Sequence, residues 1–555
     1  MSGTLRLDRN EGPAPSPALL KALAGIDPEA LRRYGDVSTL EAALADACGV
    51  EPGRVIVTAG ADEAIDRACR AYLGPPGPSR GRTMLLAEPT FEMLDHFAAL
   101  AGGTLTRVPW PAGPFPIDGF LARLDQRPAV IAVVSPNNPT GGVVCADDVR
   151  RLAAAAPEAL VLLDHAYVEY ADADLTPAVA DLRNVLVVRT LSKAWGLAGC
   201  RVGYAIGSPT VIAALRAAGG PYTVAGPSVA LALAQLQLGA TGVREHVARV
   251  REERRSLGRR LTALGAAPWP SQANFVYVDC GPRAPFLAAA LRALGVLVRD
   301  FPGRARCETA LRITLPGDEA EFAQLVQALE TALAPQALLL DLDGVLADVR
   351  DSQRAAIAAT AAALGVSVTA GQVAAAIHGG HAANDWTVTR RLVESRGERA
   401  SLEDVTARYQ ALYLGRPGTA GLREHERLIP SRALLETLAA RLPLAIVTGR
   451  PRDEARWFLE RAGVADLFRV VVAMEDAPLK PDPAPVRLAL DRIGARRAWL
   501  VGDTPDDARA AAAAAVLPLG VVAPGDDRAA TSAALERAGV ARVVDDLTAL
   551  LEVLP

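Results

Sequence analysis

Short apolar runs alternate with amphipathic stretches along most of the chain, and this alternation is the first indication of its fold. Apolar runs of a few residues, bounded by turn residues, are typical of buried strands. Apolar residues that recur every three or four positions are typical of helices that pack on one face. In the first part of the chain, the pattern predicts strands at 55–58, 83–87, 129–134, 160–163 and 185–188 and helices at 18–23, 39–48 and 64–73.

After the junction at 334–336 a second series of apolar runs begins. It predicts strands at 337–340, 444–447, 470–473 and 498–501, with helical spacing at 352–364 and 385–394. Strands that alternate with helices favour a mostly parallel sheet with ligand sites at the carboxyl ends of its strands. We therefore predict an α/β protein with two such regions.

Composition and charge narrow the class of protein. A chain of 555 residues is too long for one core and predicts two to four domains. The net charge of −4 leaves no basic surface for nucleic acid. The amino terminus is polar and no apolar run approaches ~18 residues, so we expect neither export nor a membrane span. Six cysteines without C-x-x-C spacing indicate a reducing compartment and no zinc site, which favours a cytoplasmic enzyme.

Lysine is rare in this chain, and its placement points to chemistry. Lys21, Lys193 and Lys480 are the three lysines among 59 basic residues. An ammonium can lose its proton and attack a carbonyl, whereas a guanidinium stays protonated. Lys193 follows the apolar run 185–188, with Thr190 and Ser192 before it and Arg201 after it. Hydroxyls and an arginine beside a lysine suit a phosphate held next to an imine.

This stretch resembles the lysine motif of fold type I pyridoxal-phosphate aminotransferases, most closely the histidinol-phosphate aminotransferase branch. Other polar clusters at strand ends follow in the order of that family. The resemblance implies that Lys193 is the catalytic residue and links to pyridoxal 5'-phosphate, and that Asp164 pairs with the pyridine nitrogen. It also implies a set of further cofactor-binding residues, namely Tyr34, Gly60, Ala61, Asp62, Phe91, Asn138, Tyr167, Thr190, Ser192 and Arg201.

The resemblance also implies substrate residues and a dimer. Asn10, Arg299 and Arg312 are assigned to the substrate, with the arginines binding its acidic groups. Tyr34 is expected to reach the cofactor phosphate of a neighbouring chain, so the active unit is a homodimer. The sequence departs from the family at Ala14, where a substrate-recognising tyrosine is usual, and at His165, where glutamate is usual. We expect His165 to support Asp164 rather than to touch the cofactor.

The second region carries acidic residues at strand ends. Asp341 and Asp343 follow an apolar run one residue apart, and two such acids repel each other unless a cation lies between them. Magnesium prefers oxygen ligands of this kind. The other strands end at Thr448-Gly449, ahead of Lys480, and at Asp503, with Asp507 four residues later.

These four motifs resemble those of the haloacid-dehalogenase superfamily of phosphohydrolases. The resemblance implies that Asp341 attacks phosphorus and that Asp343 is the general acid and base. Thr448, Gly449 and Lys480 would hold the phosphate. It implies a Mg²⁺ site formed by Asp341, Asp343, Asp503 and Asp507, to which Asp343 contributes its main-chain oxygen. About eighty residues between the first two motifs favour a helical cap. Within them we interpret the stretch from His378 to Trp386 as a loop that contacts substrate.

The predicted organisation is therefore an aminotransferase at 1–333, with a large domain at about 30–238 and a small domain from 1–29 and 239–333. A Rossmann-like phosphohydrolase follows at 337–555, with its cap at about 350–427. The hypothesis is a bifunctional enzyme that interconverts imidazole acetol phosphate and histidinol phosphate with glutamate and 2-oxoglutarate, so that the aminotransferase makes histidinol phosphate and the phosphohydrolase then removes its phosphate. The alternatives are another amino acid with a phosphatase or phosphomutase of different substrate, or one half serving as a degenerate regulatory module. In each case the partners are small molecules: an amino acid, a 2-oxo acid and a phosphate monoester.

Overall fold

The computed structural model describes residues 4–74, 82–379 and 384–554. The chain divides into two compact units. We call the first, Leu5–Ala284 with Val298–Gln324, the amino-terminal unit. The second, which we call the carboxy-terminal unit, contains Pro285–Leu297 and the chain from Leu325 onward.

Twelve strands and thirteen α-helices occur in the described part of the chain up to residue 333. The strands are β1 (Leu5–Leu7), β2 (Val55–Thr58), β3 (Thr83–Glu88), β4 (Thr104–Pro109), β5 (Val130–Val134), β6 (Leu160–Asp164), β7 (Val185–Thr190), β8 (Gly203–Gly207), β9 (Ala267–Pro268), β10 (Phe275–Asp279), β11 (Val296–Asp300) and β12 (Ala310–Thr314). The helices are α1 (Pro17–Ala24), α2 (Glu29–Arg32), α3 (Ser38–Cys48), α4 (Gly60–Leu73), α5 (Met93–Leu100), α6 (Ile117–Leu121), α7 (Ala146–Ala155), α8 (Thr176–Val179), α9 (Pro209–Ala218), α10 (Gly226–Leu238), α11 (Thr241–Ala263), α12 (Ala284–Ala293) and α13 (Glu319–Leu333).

The main sheet of the amino-terminal unit has, within the described residues, seven strands in the order β2-β8-β7-β6-β5-β3-β4. β8 runs antiparallel to both neighbours, and the remaining pairs are parallel. Ile131 and Val133 of β5 belong to one apolar cluster, while Val130 and Ala132 belong to another. Because both faces of the sheet are covered, its strands read as continuous apolar runs.

A second sheet of the same region has the order β1-β11-β12-β10-β9 among the described strands. β12 pairs antiparallel with both β10 and β11, and this register places Arg312 opposite Arg299 and Tyr277. Because β1 joins the edge of this sheet, residues from the start of the chain are held beside strands three hundred residues later.

The carboxy-terminal unit contains the remaining described elements. Its strands are β13 (Ala337–Leu340), β14 (Ala347–Asp348), β15 (Gly415–Arg416), β16 (Thr419–Ala420), β17 (Arg427–Leu428), β18 (Leu444–Val447), β19 (Phe468–Val472), β20 (Ala498–Gly502), β21 (Leu517–Val521) and β22 (Val543–Val544). Its helices, besides α12 and part of α13, are α14 (Gln353–Ala363), α15 (Ala370–His378), α16 (Asp385–Glu394), α17 (Leu402–Tyr413), α18 (Arg432–Arg441), α19 (Arg452–Arg461), α20 (Ala484–Ile493), α21 (Pro505–Ala513), α22 (Arg528–Ala538) and α23 (Leu550–Val553).

Six of the described strands of this unit form a parallel sheet in the order β19-β18-β13-β20-β21-β22, while β14 pairs with β17 and β15 with β16. Helices α14–α17 lie between β14 and β17, which pair with each other. These helices have their own apolar cluster, which includes Ile357, Val388, Tyr409 and Tyr413. They therefore form a helical layer with a separate small core, which we call the cap.

The predicted α/β class is confirmed, and most predicted strands agree with the observed ones to within one or two residues. One local prediction was wrong. Helix α4 begins at Gly60 rather than at residue 64, so Gly60, Ala61 and Asp62 form its first turn. None of the helices in the described ranges is both long and apolar enough to cross a membrane.

Helices α12 and α13 contribute to the carboxy-terminal unit through Trp499 of β20. The indole Nε1 of Trp499 donates to the carbonyl oxygen of Thr331 at 2.8 Å. Its ring lies 5.4 Å from that of Phe286 in α12. Trp499 is fully buried, so this carbonyl has no access to a replacement partner from bulk water.

We expect Trp499→Phe to lower the free energy of unfolding of the carboxy-terminal unit by about 1–3 kcal/mol, because a buried carbonyl loses its donor. Denaturant unfolding followed by circular dichroism measures this loss. Trp457→Phe, at a half-buried ring on α19, is the matched control and should cost less. Equal losses from the two variants would contradict the assigned hydrogen bond.

Candidate active sites

A cavity of about 390 Å³ lies at the carboxyl ends of the central strands of the amino-terminal unit. Its volume falls in the range of small-ligand sites. Lining residues come from β6, β7, the first turn of α4 and the second sheet. The predicted residues that line it are Asn10, Ala61, Asp62, Phe91, Asn138, Asp164, Tyr167, Thr190, Ser192, Lys193, Arg201, Arg299 and Arg312.

Lys193 projects into this cavity from the turn that follows β7. Its Nζ donates to the carbonyl oxygen of Arg9 at 3.3 Å and lies 5.6 Å from the centre of the Tyr167 ring. No carboxylate lies within salt-bridge distance of this ammonium among the described residues. The amine is therefore available for carbonyl chemistry.

Asp164, the last residue of β6, is a buried carboxylate in the same cavity. It is 4% exposed, and its Oδ1 accepts from the backbone N–H of Ala166 at 3.1 Å. Burial raises the pKa of Asp164 to about 7, and the nearby Asp62 adds to this effect. A buried carboxylate with so little compensation fits a cationic partner such as a protonated pyridine nitrogen.

The opposite side of the cavity is built for an anion. The first turn of α4 presents backbone N–H groups at Ala61 and Asp62, which suits phosphate. Arg201, with a left-handed φ of 51°, places its Nη2 at 3.2 Å from Asp62 Oδ2. Gly60 has φ +82°, and a Cβ at this position would lie 2.5 Å from Arg201 Nη2, so glycine leaves the space that the guanidinium uses.

Hydroxyl groups complete this anion-binding side. The Thr190 hydroxyl donates to Ser192 Oγ at 2.9 Å, and it accepts from the backbone N–H of Ser192 at 3.1 Å. Both side chains are buried. Phosphate, lysine and pyridine partners are thus arranged along one cavity, and the residues fit pyridoxal 5'-phosphate.

A hydrogen-bond network joins the substrate side of the cavity to the strands. Asn10 Nδ2 donates to the Tyr167 hydroxyl at 2.9 Å. Arg312 Nη1 donates to Asn138 Oδ1 at 2.6 Å, and Arg312 Nη2 donates to the carbonyl oxygen of Asp8 at 2.7 Å. Burial lowers the pKa of Arg312, and its Nε has no hydrogen-bond partner. An anionic ligand would therefore stabilise the positive charge of Arg312.

Several cavity residues were not singled out from the sequence. Glu92 bridges Arg299 and Arg304, with a 3.4 Å contact to each guanidinium. The guanidinium carbons of both arginines lie 5.6 Å from the centre of the Phe301 ring. In a chain so rich in arginine, composition carried no signal that would have distinguished Arg304.

Two predicted cofactor residues do not line the cavity. Gly60 lies behind it, against Arg201. Tyr34 is 79% exposed and stacks on Tyr222, with ring centroids 4.4 Å apart. Within one chain, Tyr34 therefore makes no contribution to the site.

His165 is a buried structural residue. Its Nδ1 is hydrogen bonded to the carbonyl oxygen of Ser135, and its Nε2 accepts from the backbone N–H of Leu175 at 3.2 Å. These two bonds require the neutral imidazole with its proton on Nδ1. Burial lowers the pKa of His165 to about 4. The histidine thus ties the β5 and β6 ends to the loop before α8.

The carboxy-terminal unit has its own cavity, of about 130 Å³, between the ends of its parallel strands and the cap. Asp341, Asp503 and Asp507 converge there, with one carboxylate oxygen from each within 4.8 Å of the others. All three are buried, and Asp503 Oδ1 has no hydrogen-bond partner. This donor set fits a divalent cation with oxygen ligands.

The electrostatics of this cluster also suit a divalent cation. Burial raises the pKa of Asp341 to about 7 and that of Asp503 well above its usual range, with the neighbouring carboxylates adding to both. Lys480 Nζ lies 2.8 Å from Asp341 Oδ1 and also contacts Asp507. Although burial opposes its charge, these two acids raise the pKa of Lys480.

Gly344 shows how closely this site is packed. It has φ +72°, and a Cβ at this position would lie 2.2 Å from Asp503 Oδ2. A side chain at Gly344 would therefore displace a carboxylate of the cluster.

Asp343 lies outside the carboxylate cluster and is held by an arginine. Arg450 Nε donates to Asp343 Oδ1 at 2.6 Å, while Arg450 Nη1 contacts Glu426 at 2.9 Å. Asp343 and Gly449 line the cavity. Thr448 does not line it; it is buried and its hydroxyl accepts from the backbone N–H of Arg450 at 3.2 Å.

The cap supplies side chains that the sequence analysis did not name as site residues. Arg354, Asp385, Trp386 and Tyr409 all line the cavity. His378 ends α15 and contacts Asp526 at 2.8 Å. Of the stretch from His378 to Trp386 that was predicted to be a loop, residues 380–383 lie outside the described residues. Asp385 and Trp386 belong to the first turn of α16.

The first site has a lysine, a buried aspartate and an anion cradle at the carboxyl edge of a mixed sheet, which are the features of a fold type I pyridoxal-phosphate transferase. The second has the acids and lysine of an aspartate-dependent phosphohydrolase. The family profile of aminotransferase class I and II matches residues 2–329, and that of haloacid dehalogenase-like hydrolase matches residues 335–515. The chain belongs to the class I and II aminotransferases and continues into a haloacid dehalogenase-like hydrolase, so it combines transferase and hydrolase halves.

Individual relatives support this division. The chain is 35% identical over 337 residues to a histidinol-phosphate aminotransferase of Rhodospirillum centenum, a match that covers 59% of this chain and 90% of that protein. It is also 46% identical over 197 residues to an imidazoleglycerol-phosphate dehydratase of Phytophthora nicotianae. That second match covers 34% of this chain and 44% of the relative.

A solved structure supports the fold of the first half. The crystal structure of histidinol-phosphate aminotransferase from Sinorhizobium meliloti, in complex with pyridoxal-5'-phosphate, is 29% identical with a TM-score of 0.54. The match covers 59% of this chain and 89% of that one. The family implies that the aminotransferase half uses pyridoxal 5'-phosphate.

We expect His165 to lower the stability of the amino-terminal unit as the pH falls from about 6.5 towards 4, because the unfolded chain binds a proton there that the folded chain excludes, whereas Asp164, whose pKa is raised, acts in the opposite direction. The pKa of this histidine is lowered in the fold, so its stability contribution is complete above pH 6.5 and declines below it. The slope is about 1.4 kcal/mol per pH unit for one such group.

Urea unfolding between pH 4.5 and 8 measures this slope. His165→Gln should be less stable at pH 8 but show a smaller slope, although His246, whose pKa is also lowered to about 4 by burial, keeps part of it. The exposed His96→Gln is the control and should retain the full slope. A His165→Gln slope equal to that of the control would refute the role of His165.

Proposed function

We propose that the chain is a bifunctional enzyme of histidine biosynthesis that transaminates histidinol phosphate and imidazole acetol phosphate with 2-oxoglutarate and glutamate and hydrolyses histidinol phosphate. One observation carries the proposal: both cavities hold the charged groups that their chemistries need. The identity to histidinol-phosphate aminotransferases supports the substrate. An amino phosphate ester made at one site is a chemically suitable substrate for the other.

In the aminotransferase half, each residue has a role that its position supports. Pyridoxal phosphate, when bound, supplies an electron-withdrawing ring that stabilises negative charge at the α carbon of the amino acid. Lys193 takes the α proton and returns it, Asp164 holds the pyridine nitrogen, and Asn138 and Tyr167 orient the phenolic oxygen. Ala61, Asp62, Thr190, Ser192 and Arg201 would hold the phosphate group, with Gly60 leaving space for Arg201, and Phe91 would stack on the ring.

Arginines near this lysine match the charge of the substrates. Arg299 and Arg304 line the cavity beside the deeply buried Arg312. Histidinol phosphate carries a phosphate and 2-oxoglutarate a second carboxylate, so both substrates bring an anion that the same arginines bind in turn. Asn10 contributes through its bond to Tyr167.

In the hydrolase half, the Asp341 carboxylate attacks phosphorus and the ester oxygen leaves with a proton from Asp343. Water then attacks the phosphorylated Asp341, giving its proton back to Asp343 and releasing phosphate. Arg450 orients Asp343, while Lys480 and Gly449 hold phosphate oxygens. Mg²⁺ is the proposed metal, bound by the Asp341 and Asp503 carboxylates, with Asp507 positioning Lys480 and supporting the cluster.

The domain limits and location form part of the proposal. Residues 1–333 make the aminotransferase, residues 337–555 make the hydrolase with its cap at about 350–427, and the protein acts in the cytoplasm. Ala14, in place of the usual tyrosine, favours a second candidate in which the aminotransferase accepts another amino acid. The retention of Lys193, Asp164, Asp341 and Asp343 argues against a degenerate half.

We expect Asp341→Asn to lower phosphate release from histidinol phosphate by at least about a thousandfold, because the nucleophile is lost. Transamination by the same variant should stay within a few fold of the wild type. Lys193→Ala should show the reverse pattern. A coupled assay with histidinol phosphate and 2-oxoglutarate, which measures glutamate and phosphate separately, tests both variants.

If wild-type protein transaminates and dephosphorylates other substrates but not histidinol phosphate, the proposed substrate is wrong and the second candidate is favoured. If each variant abolishes both activities, the two sites do not act independently.

We expect the aminotransferase half to form a homodimer, because Tyr34 is exposed and stacks on the exposed Tyr222 instead of lining the cavity of its own chain. Leu20, Leu23 and Leu31 are also exposed. Leu31→Asp should weaken self-association, and Tyr34→Ala should weaken cofactor binding without dissociating the dimer. Light scattering and cofactor titration measure the two effects. Leu414→Asp, at an exposed cap residue, is the control. A fully active monomer would contradict this expectation.

A further inference from the structure

The cations that line the hydrolase cavity are already matched by carboxylates. Lys480 contacts Asp341 and Asp507. Arg450 contacts Asp343 and Glu426, with the Glu426 side chain fully buried. Arg354 is paired with Asp526. None of these three cations is therefore left over to neutralise a further acid.

Three more acids line the same cavity, of which Asp506 is paired with Arg509. Of the other two, Asp385 begins cap helix α16 and Glu454 lies in the first turn of α19. Among the described residues, neither has a basic group within salt-bridge distance. Their hydrogen-bond donors are neutral: the Tyr409 hydroxyl donates to Asp385 Oδ2 at 2.6 Å, and Gln410 Nε2 donates to Glu454 Oε1 at 3.0 Å.

Burial and neighbouring carboxylates disfavour the negative charges of Asp385 and Glu454. Burial raises the pKa of Asp385 to about 6, and repulsion from Asp343 adds to the effect. Burial likewise raises the pKa of Glu454 to about 7, with Asp385 and Asp343 contributing. Arg450 opposes both shifts and Arg354 opposes that of Asp385, without abolishing them. A positive group placed between the two carboxylates would relieve both penalties.

Aromatic side chains complete the surroundings. Trp386 follows Asp385 and lines the cavity together with Tyr409. Carboxylates combined with aromatic faces form a common recognition site for an organic ammonium ion. An inorganic cation would instead favour a set of convergent oxygens, which the Asp341, Asp503 and Asp507 cluster already provides.

We propose that Asp385 and Glu454 bind an ammonium group on the alcohol part of the substrate, so that the hydrolase half selects phosphate monoesters of amino alcohols. This inference rests on the proposed phosphatase function and deepens it. Histidinol phosphate has its amine on the carbon next to the phosphorylated one, as does 2-aminoethyl phosphate. The pair would thereby separate amino phosphate esters from neutral ones.

An alternative interpretation of Asp385 is purely structural: a carboxylate in the first turn of a helix interacts favourably with the helix dipole and stabilises the helix. This role would affect the stability of the cap without distinguishing between substrates. Glu454 also lies in a first turn, so the same reading applies to both acids. The two readings differ in what they predict for a cationic and a neutral ester of equal size.

The experiment compares 2-aminoethyl phosphate with propyl phosphate, in which a methyl group replaces the ammonium. Wild-type protein should show a kcat/KM at least tenfold higher for the amino ester, mainly through KM. Asp385→Asn and Glu454→Gln should each reduce this preference severalfold, with the loss concentrated in KM for the amino ester. Asp404→Asn, at a cap acid that pairs with Arg408 on the exposed face of α17, should keep the preference.

Binding provides a readout without turnover. In the Asp341→Asn background, calorimetry should give a tighter Kd for 2-aminoethyl phosphate than for propyl phosphate, and the Asp385→Asn change should remove this difference. Equal wild-type values for the two esters, or variants that weaken both esters equally, would overturn the proposal. Hydrolysis of neither ester nor of histidinol phosphate would instead refute the phosphatase function itself.

Discussion

Carboxylates buried at the carboxyl ends of parallel strands are the constraint on which both halves of this protein depend. Asp164 ends β6, and Asp341 and Asp503 follow β13 and β20. Each is nearly inaccessible to water, and each has a raised pKa because burial penalises its charge. A buried carboxylate at such a sheet edge needs a positive partner, so this position suits a cationic cofactor group or a metal ion.

The two halves meet this constraint differently. In the amino-terminal unit, Lys193 forms no salt bridge with Asp164 and donates to a backbone carbonyl oxygen, so its amine remains available. In the carboxy-terminal unit, Lys480 is locked between two carboxylates, which keeps it protonated. The same residue type thus serves as a reactive amine at one site and as a fixed charge at the other.

The arginine-rich composition explains much of the remaining architecture. Arg450, Arg354 and Arg312 are all buried or nearly so, and each uses several nitrogens to join carboxylates or carbonyls from distant segments. A planar guanidinium holds such groups in defined directions, which a lysine ammonium cannot do. Asp343, Glu426 and Asp526 are therefore held in place by paired arginines, and the cavity acids without such a partner are candidates for ligand contact.

The sequence by itself determined the α/β class, most strands, and the residues at the strand ends, because these follow from local apolar runs and from spacing along the chain. It also identified the unusual lysines. The tertiary structure alone decided which side chains share a cavity. Tyr34 faces outward, Thr448 is buried beside the cavity rather than in it, and Arg304 and Arg354 line cavities without any local pattern. The reason is physical: the charge of a site is a sum over segments hundreds of residues apart, and local periodicity carries no record of which of them meet.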